Sequence, residues 1–170
     1  MAIVPAPLML PEKVRKQAAD ARALGRWVRG SLAGMALGLV LVFYTAFRLD
    51  PYQNGQPRMM ETHLQLGLPP CNFKVMTGLP CPSCGMTTSF ALLVRGDFGN
   101  SLRANAVGTL LAIFCLAFIP WSLHCAVRGR SLFVVSMERV TLWIVIVFMV
   151  LLLVRWVIVL GMIGWDKIVK

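Results

Sequence analysis

The residues with most capacity for chemistry are three cysteines in one connection. Cys71, Cys81 and Cys84 lie there, out of five cysteines in a chain of 170 residues. Cys81-Pro82-Ser83-Cys84 is a C-x-x-C motif, and Cys71 stands ten positions upstream of it. One chemistry for this set is thiol–disulfide exchange. A helix opening at Pro82 would put Cys81 at its N-terminus, where the helix dipole and free N–H groups lower a thiol pKa. The other is metal binding, with Cys71, Cys81 and Cys84 as soft ligands and His63 as a fourth donor for zinc or another thiolate-bound metal. A third reading is a structural disulfide or packed thiols. The spacing leaves all three open.

Other chemistries lack their parts. Asp50, Glu61 and Asp97 are single acids rather than a spaced pair. No glycine-rich phosphate loop, serine nucleophile elbow or metalloprotease helix is present. His63 and His124 fall on opposite expected sides of a membrane. Cys115, His124 and Cys125 read as packing residues, since an unpaired buried cysteine behaves as a small hydrophobe. These absences point to a non-enzymatic protein.

The elements that must position the thiols are apolar. Hydrophobic residues make up 58% of the chain and charged residues 14%, with a mean hydropathy of +0.72. That leaves too little polar surface to coat a soluble globule. The net charge of +10 is read as contact with anionic lipid, because no basic groove interleaved with aromatics is present for nucleic acid. The expected fold is therefore an all-α membrane protein with three transmembrane helices.

Residues 1–30 form a cytoplasmic segment with an amphipathic basic helix, in which Val14, Ala18, Ala21, Leu24, Trp27 and Val28 recur at helical steps. Residues 31–170 form the membrane domain. Its spans are expected at about 31–49, 104–127 and 140–161, with the cysteine loop at 50–103. The first span has 19 residues and covers about 28 Å, close to the hydrocarbon thickness. Gly30, Gly34 and Gly38 share one face of it, a spacing that lets another helix approach closely. That helix is expected to come from the same chain. Between spans 1 and 2, residues 86–94 suggest a short interfacial or re-entrant helix. Pro120 is expected to kink the second span. Arg155 falls inside the third, where an ionised side chain either reaches outward or pairs with Asp97 or Glu61.

Basic residues set the orientation. Segment 13–29 holds six Lys or Arg in 17 residues and segment 128–139 holds three in 12, whereas 48–103 holds five in 56. The dense segments belong inside. The N-terminus is then cytoplasmic and the cysteine loop lies on the outer face of a bacterial inner membrane.

The run from Cys71 to Asn105 resembles a family of bacterial membrane proteins, domain of unknown function 2752. Its pattern is a first Cys, a T-G-x-x-C-P-x-C-G-x-T-R core, a G-D turn and an Asn-Pro entering a membrane helix. The matching positions are Cys71, Thr77, Gly78, Cys81, Pro82, Cys84, Gly85, Thr87, Gly96, Asp97, Phe98 and Asn105. Thr88 stands where the family commonly has Arg, and Ala106 where it commonly has Pro. The resemblance implies a small helical membrane protein and no known reaction. The combined reading is an accessory or assembly subunit of a membrane complex, in contact with lipid and with a membrane-protein partner or a second copy of itself. The alternatives are a redox protein using Cys81 and Cys84 and a metal-binding module.

Overall fold

The computed structural model describes residues 24–130 and 137–169. The proposed amphipathic helix of segment 1–30 lies almost wholly outside the described residues. Among the described residues three helices are long and apolar enough to cross a membrane, as expected.

Helix α1 is Arg26–Arg48. It starts five residues earlier than the apolar pattern suggests, because Arg26 and Arg29 belong to its first turns. Its 23 residues span about 34 Å. A hairpin follows, β1 Tyr52–Gln53 with β2 Gln56–Pro57. Its two-residue turn uses Asn54 and Gly55, both at positive φ, the geometry that matches strand twist. Next come a 3-10 turn at Thr62–Leu66, helix α2 at Asn72–Thr77 and helix α3 at Met86–Leu93. Helix α4 is Phe98–Arg128 and helix α5 is Met137–Val169. The cysteine loop thus holds more structure than expected of it.

Helices α1 and α4 run antiparallel, and arginines tie both ends. Arg29 Nε donates to the carbonyl of Ala126 at 2.7 Å, satisfying an orphan carbonyl in the last turn of α4. At the opposite end Arg95 donates to the carbonyls of Phe47 at 2.8 Å, Ala46 at 3.3 Å and Ala91 at 2.9 Å. A guanidinium fork suits this role, since it carries five fixed donors and stays charged.

Helix α3 is clasped between α1 and α4 and is not laid flat on a surface. Thr88, Ser89, Ala91, Leu92 and Leu93 are buried. Phe43, Leu93 and Ala112 form the apolar core, with Phe43 stacked on Phe90 at 5.5 Å. Partly buried Cys115 packs on this core and Cys125 is fully buried. Beside it runs a polar seam. Ser101 Oγ donates to the Ser89 carbonyl at 2.8 Å and lies 2.7 Å from Thr109 Oγ1. Thr109 Oγ1 donates to the Asn105 carbonyl. Each polar group finds a partner, so the seam avoids the cost of an orphaned buried donor or acceptor. Gly108 lets α3 come close, since a Cβ there would meet Ser89 Oγ at 2.5 Å.

Two expectations change. The backbone of α4 leaves the helical region at Asn105 (φ −159°, ψ 102°), and not at Pro120. Gly30, Gly34 and Gly38 do not pack against another helix of the described chain, because a Cβ on any of them would meet nothing within 4 Å.

Helix α5 stands apart. None of its most apolar window is buried within the described chain. Its polar anchors are near the thiols. Trp156 Nε1 donates to the Pro80 carbonyl at 2.8 Å, and Arg155 Nη2 donates to the Ala104 carbonyl at 3.0 Å.

Candidate functional site

Cys71, Cys81 and Cys84 converge, with their sulfur atoms all within 4.8 Å of one another. Cys71 comes from the start of α2, as its N-cap. Cys81 and Cys84 come from the tight turn that precedes α3. Proline fixes φ at position 82, and Cys84 N–H bonds back to the Cys81 carbonyl at 3.1 Å. The C-x-x-C turn brings the two sulfurs to 3.2 Å. This is far longer than a disulfide bond of about 2.05 Å. The Cys81 N–H also points at Cys84 Sγ at 3.2 Å.

Gly85 terminates the turn. Its φ is +84°, and a Cβ would meet the carbonyl oxygens of Ala104 at 2.5 Å and Met59 at 2.8 Å. Only glycine fits both demands. Helix α3 therefore begins at Met86 with Gly85 as its N-cap, so Cys81 does not lie at a helix N-terminus as the Pro82 reading expected. Asn105 holds the other side. Its dihedrals are extended and its Oδ1 accepts from the Gly108 N–H at 3.0 Å, which is an N-cap for the long part of α4. Its Nδ2 donates to the Cys84 carbonyl at 3.2 Å. Ala106 then occupies the first helical position, where proline is favoured. Thr88 is fully buried and hydrogen-bonds Thr62 at 2.8 Å.

The two thiols of the turn differ. Burial raises Cys81, but hydrogen bonds with Ser83, Cys84 and Cys71 outweigh it and bring the group down to about 7. Burial and the Cys81 hydrogen bond push Cys84 up to about 12. The lowering of Cys81 comes from its hydroxyl and sulfur neighbours and from the Ser83 backbone N–H.

The cluster forms one wall of a cavity of about 340 Å³. Met60, Glu61, His63, Lys74 and Met86 share its lining. His63 thus faces the same cavity, but it is not one of the three groups that converge. Lys74 Nζ donates to Glu61 Oε1 at 2.6 Å. That hydrogen bond lowers the Glu61 carboxyl and raises the Lys74 amine. Arg155 pairs with neither Glu61 nor Asp97. Asp97 instead caps α4 by accepting from Asn100 and from the Tyr52 hydroxyl. His124 is exposed and remote in sequence from this site.

Lys74, Asn105, Trp156, Met60 and Met86 escape a reading of the sequence as site residues. Trp156 was signalled only by its place beside Arg155. The two methionines look like any other apolar residue.

Residues 71–119 match the model of a family described as protein of unknown function, DUF2752, the family that the motif resembles. The matched stretch carries all three thiols together with Gly85, Asp97 and Asn105. No curated protein and no solved structure matches the chain.

Proposed function

We propose that this protein is a membrane-anchored module that binds one thiophilic metal ion through Cys71, Cys81 and Cys84. The observation that carries the proposal is the convergence of three sulfurs from two separate segments. Exchange chemistry needs two thiols and gives the third no task. A tetrahedral ion with bonds of about 2.3 Å sets its sulfur ligands roughly 3.8 Å apart. The 3.2 Å between Cys81 and Cys84 and the 4.8 Å limit for the trio bracket that spacing. Bound there, the metal would tie α2 to the α3 turn and present one side to the cavity.

The module belongs to the bacterial inner membrane, with the N-terminus inside and the cluster outside. This rests on the basic residues. The pairing of the Leu24 N–H with the Gly129 carbonyl supports it by keeping two basic segments at one end of the bundle, opposite the thiols.

The test is a count of thiols and metal on detergent-purified protein. One equivalent of bound metal, lost on Cys71→Ser, is the expected result. No metal, with two thiols gained on reduction, would replace this reading with thiol–disulfide exchange at Cys81 and Cys84.

A second reading, an accessory or assembly subunit of a membrane complex, is favoured by the bare Gly30, Gly34 and Gly38 face, which suits close approach by a helix from another chain. Gly34→Leu would then release a co-purifying partner, or a second copy, without changing metal content.

A further inference from the structure

We infer that the ion carried by the three-thiol cluster is monovalent copper, taken in through thioether and imidazole groups of the adjoining cavity. The inference rests on the metal-binding reading and names its cargo. Three further soft or borderline donors line the same cavity as Cys71, Cys81 and Cys84: Met60, Met86 and His63. Thioethers are the discriminating members. Zinc sites take thiolate, imidazole and carboxylate ligands, whereas methionine sulfur belongs to the chemistry of Cu(I). The hard alternative is closed off. Glu61 is the one carboxylate on the described cavity wall, and it is committed to Lys74 at 2.6 Å. Calcium, magnesium and manganese, which gather several oxygen ligands, would meet a single carboxylate there.

Charge bears on how the cluster is held. Three thiolates around a monovalent ion carry a net charge of −2, and around a divalent ion −1. Two cations border the sulfurs: Lys74 lies within electrostatic reach of Cys84 and Cys71, and Arg155 of Cys84 and Cys81. Lys74 is partly neutralised by Glu61, whereas among the described residues the Arg155 guanidinium bonds to a carbonyl. Among those residues one uncompensated cation therefore faces an anionic cluster whichever ion it holds. Met60, Met86 and His63 are all partly exposed, so they can take an ion from solution and hand it inward by ligand exchange. No change of oxidation state is involved; the ion leaves one set of soft ligands for another.

The experiment uses the full-length protein in detergent, under anaerobic conditions, with Cu(I) supplied from a chromophoric chelator. Wild type is compared with Met60→Leu/Met86→Leu, which conserves volume and apolar character. Wild type should take one Cu(I) per chain. The double variant should load at least tenfold more slowly, while its zinc uptake and melting temperature stay as in wild type. Equal Cu(I) loading rates in the two proteins would overturn the inference and leave the metal site standing. An equal slowing of zinc would also overturn it, since the methionines would then act by shaping the cavity. Failure of wild type to bind either ion would remove the metal-binding reading itself.

Discussion

Arg155 reaches the carbonyl of Ala104 at 3.0 Å because the helix containing Ala104 is broken at the next residue. In an unbroken helix that carbonyl would accept from the Gly108 N–H. Here Gly108 donates instead to Asn105 Oδ1. One side chain thus both starts the long helix and frees the carbonyl on which an intramembrane cation docks. This explains how a charge within a span is accommodated without a carboxylate partner, a placement that otherwise costs several kcal/mol.

Removing the guanidinium tests that relationship. Arg155→Met keeps most of the side chain's length and leaves the Ala104 carbonyl without its donor, which should cost about 1–3 kcal/mol. Thermal unfolding in detergent measures it. A melting point unchanged from wild type would show that the carbonyl finds another partner.

Two glycines with similar backbones should behave differently on substitution. Gly78 and Gly85 have φ of +71° and +84°, but a Cβ at Gly78 meets open space while one at Gly85 meets two carbonyl oxygens. Gly78→Ala should cost only the left-handed backbone penalty, about 1–2 kcal/mol. Gly85→Ala must also displace backbone, so it should exceed about 3 kcal/mol and dissolve the thiol cluster. Equal losses would remove the steric argument.

Ala106 follows an N-cap, at the position where proline is preorganised. Ala106→Pro should stabilise the protein by about 0.4–1 kcal/mol through loss of freedom in the unfolded chain. Asn105→Ala should cost about 0.5–2 kcal/mol as a lost cap. A destabilising Ala106→Pro would mean that the break at Asn105 is not a helix start.

The thiols should separate by pH in reduced, metal-free protein. Cys81 is lowered to about 7 and Cys84 raised to about 12, and the thiolate is the reactive form. Alkylation at Cys81 should therefore rise through pH 6–8 and then level, while Cys84 stays slow across that window. Mass spectrometry of labelled peptides reads both. Equal rates at pH 7 would contradict the asymmetry.

The three spans were legible because apolar runs of this length have few other uses. Helix α1 begins early because Arg29 near its start bonds to α4, and no local pattern reports a partner 97 residues away. The thiol trio was legible from residue type, and the turn that joins two of its members from proline in the C-x-x-C. His63 shares the cavity wall and lies outside the three groups that converge. Lys74, Trp156 and the two methionines come to the site only through tertiary packing. The start of the long helix near Asn105 was legible from the motif's asparagine and from the span expected at 104, whereas the kink expected at Pro120 was not found in the backbone dihedrals.

The arginines at the two ends of α1 have a mechanical consequence, Arg29 tying it to α4 and Arg95 tying it to the turn that leads into α4. To slide α1 along α4, Arg29 would have to release Ala126 while Arg95 released Phe47. Shear at one end cannot be relieved at the other, so the pair behaves as a rigid strut. Helix α5 has its polar anchors at Ala104 and Pro80 alone among the described contacts. Those anchors sit beside the sulfurs, so a displacement of the helix there would be delivered to the turn that carries Cys81 and Cys84.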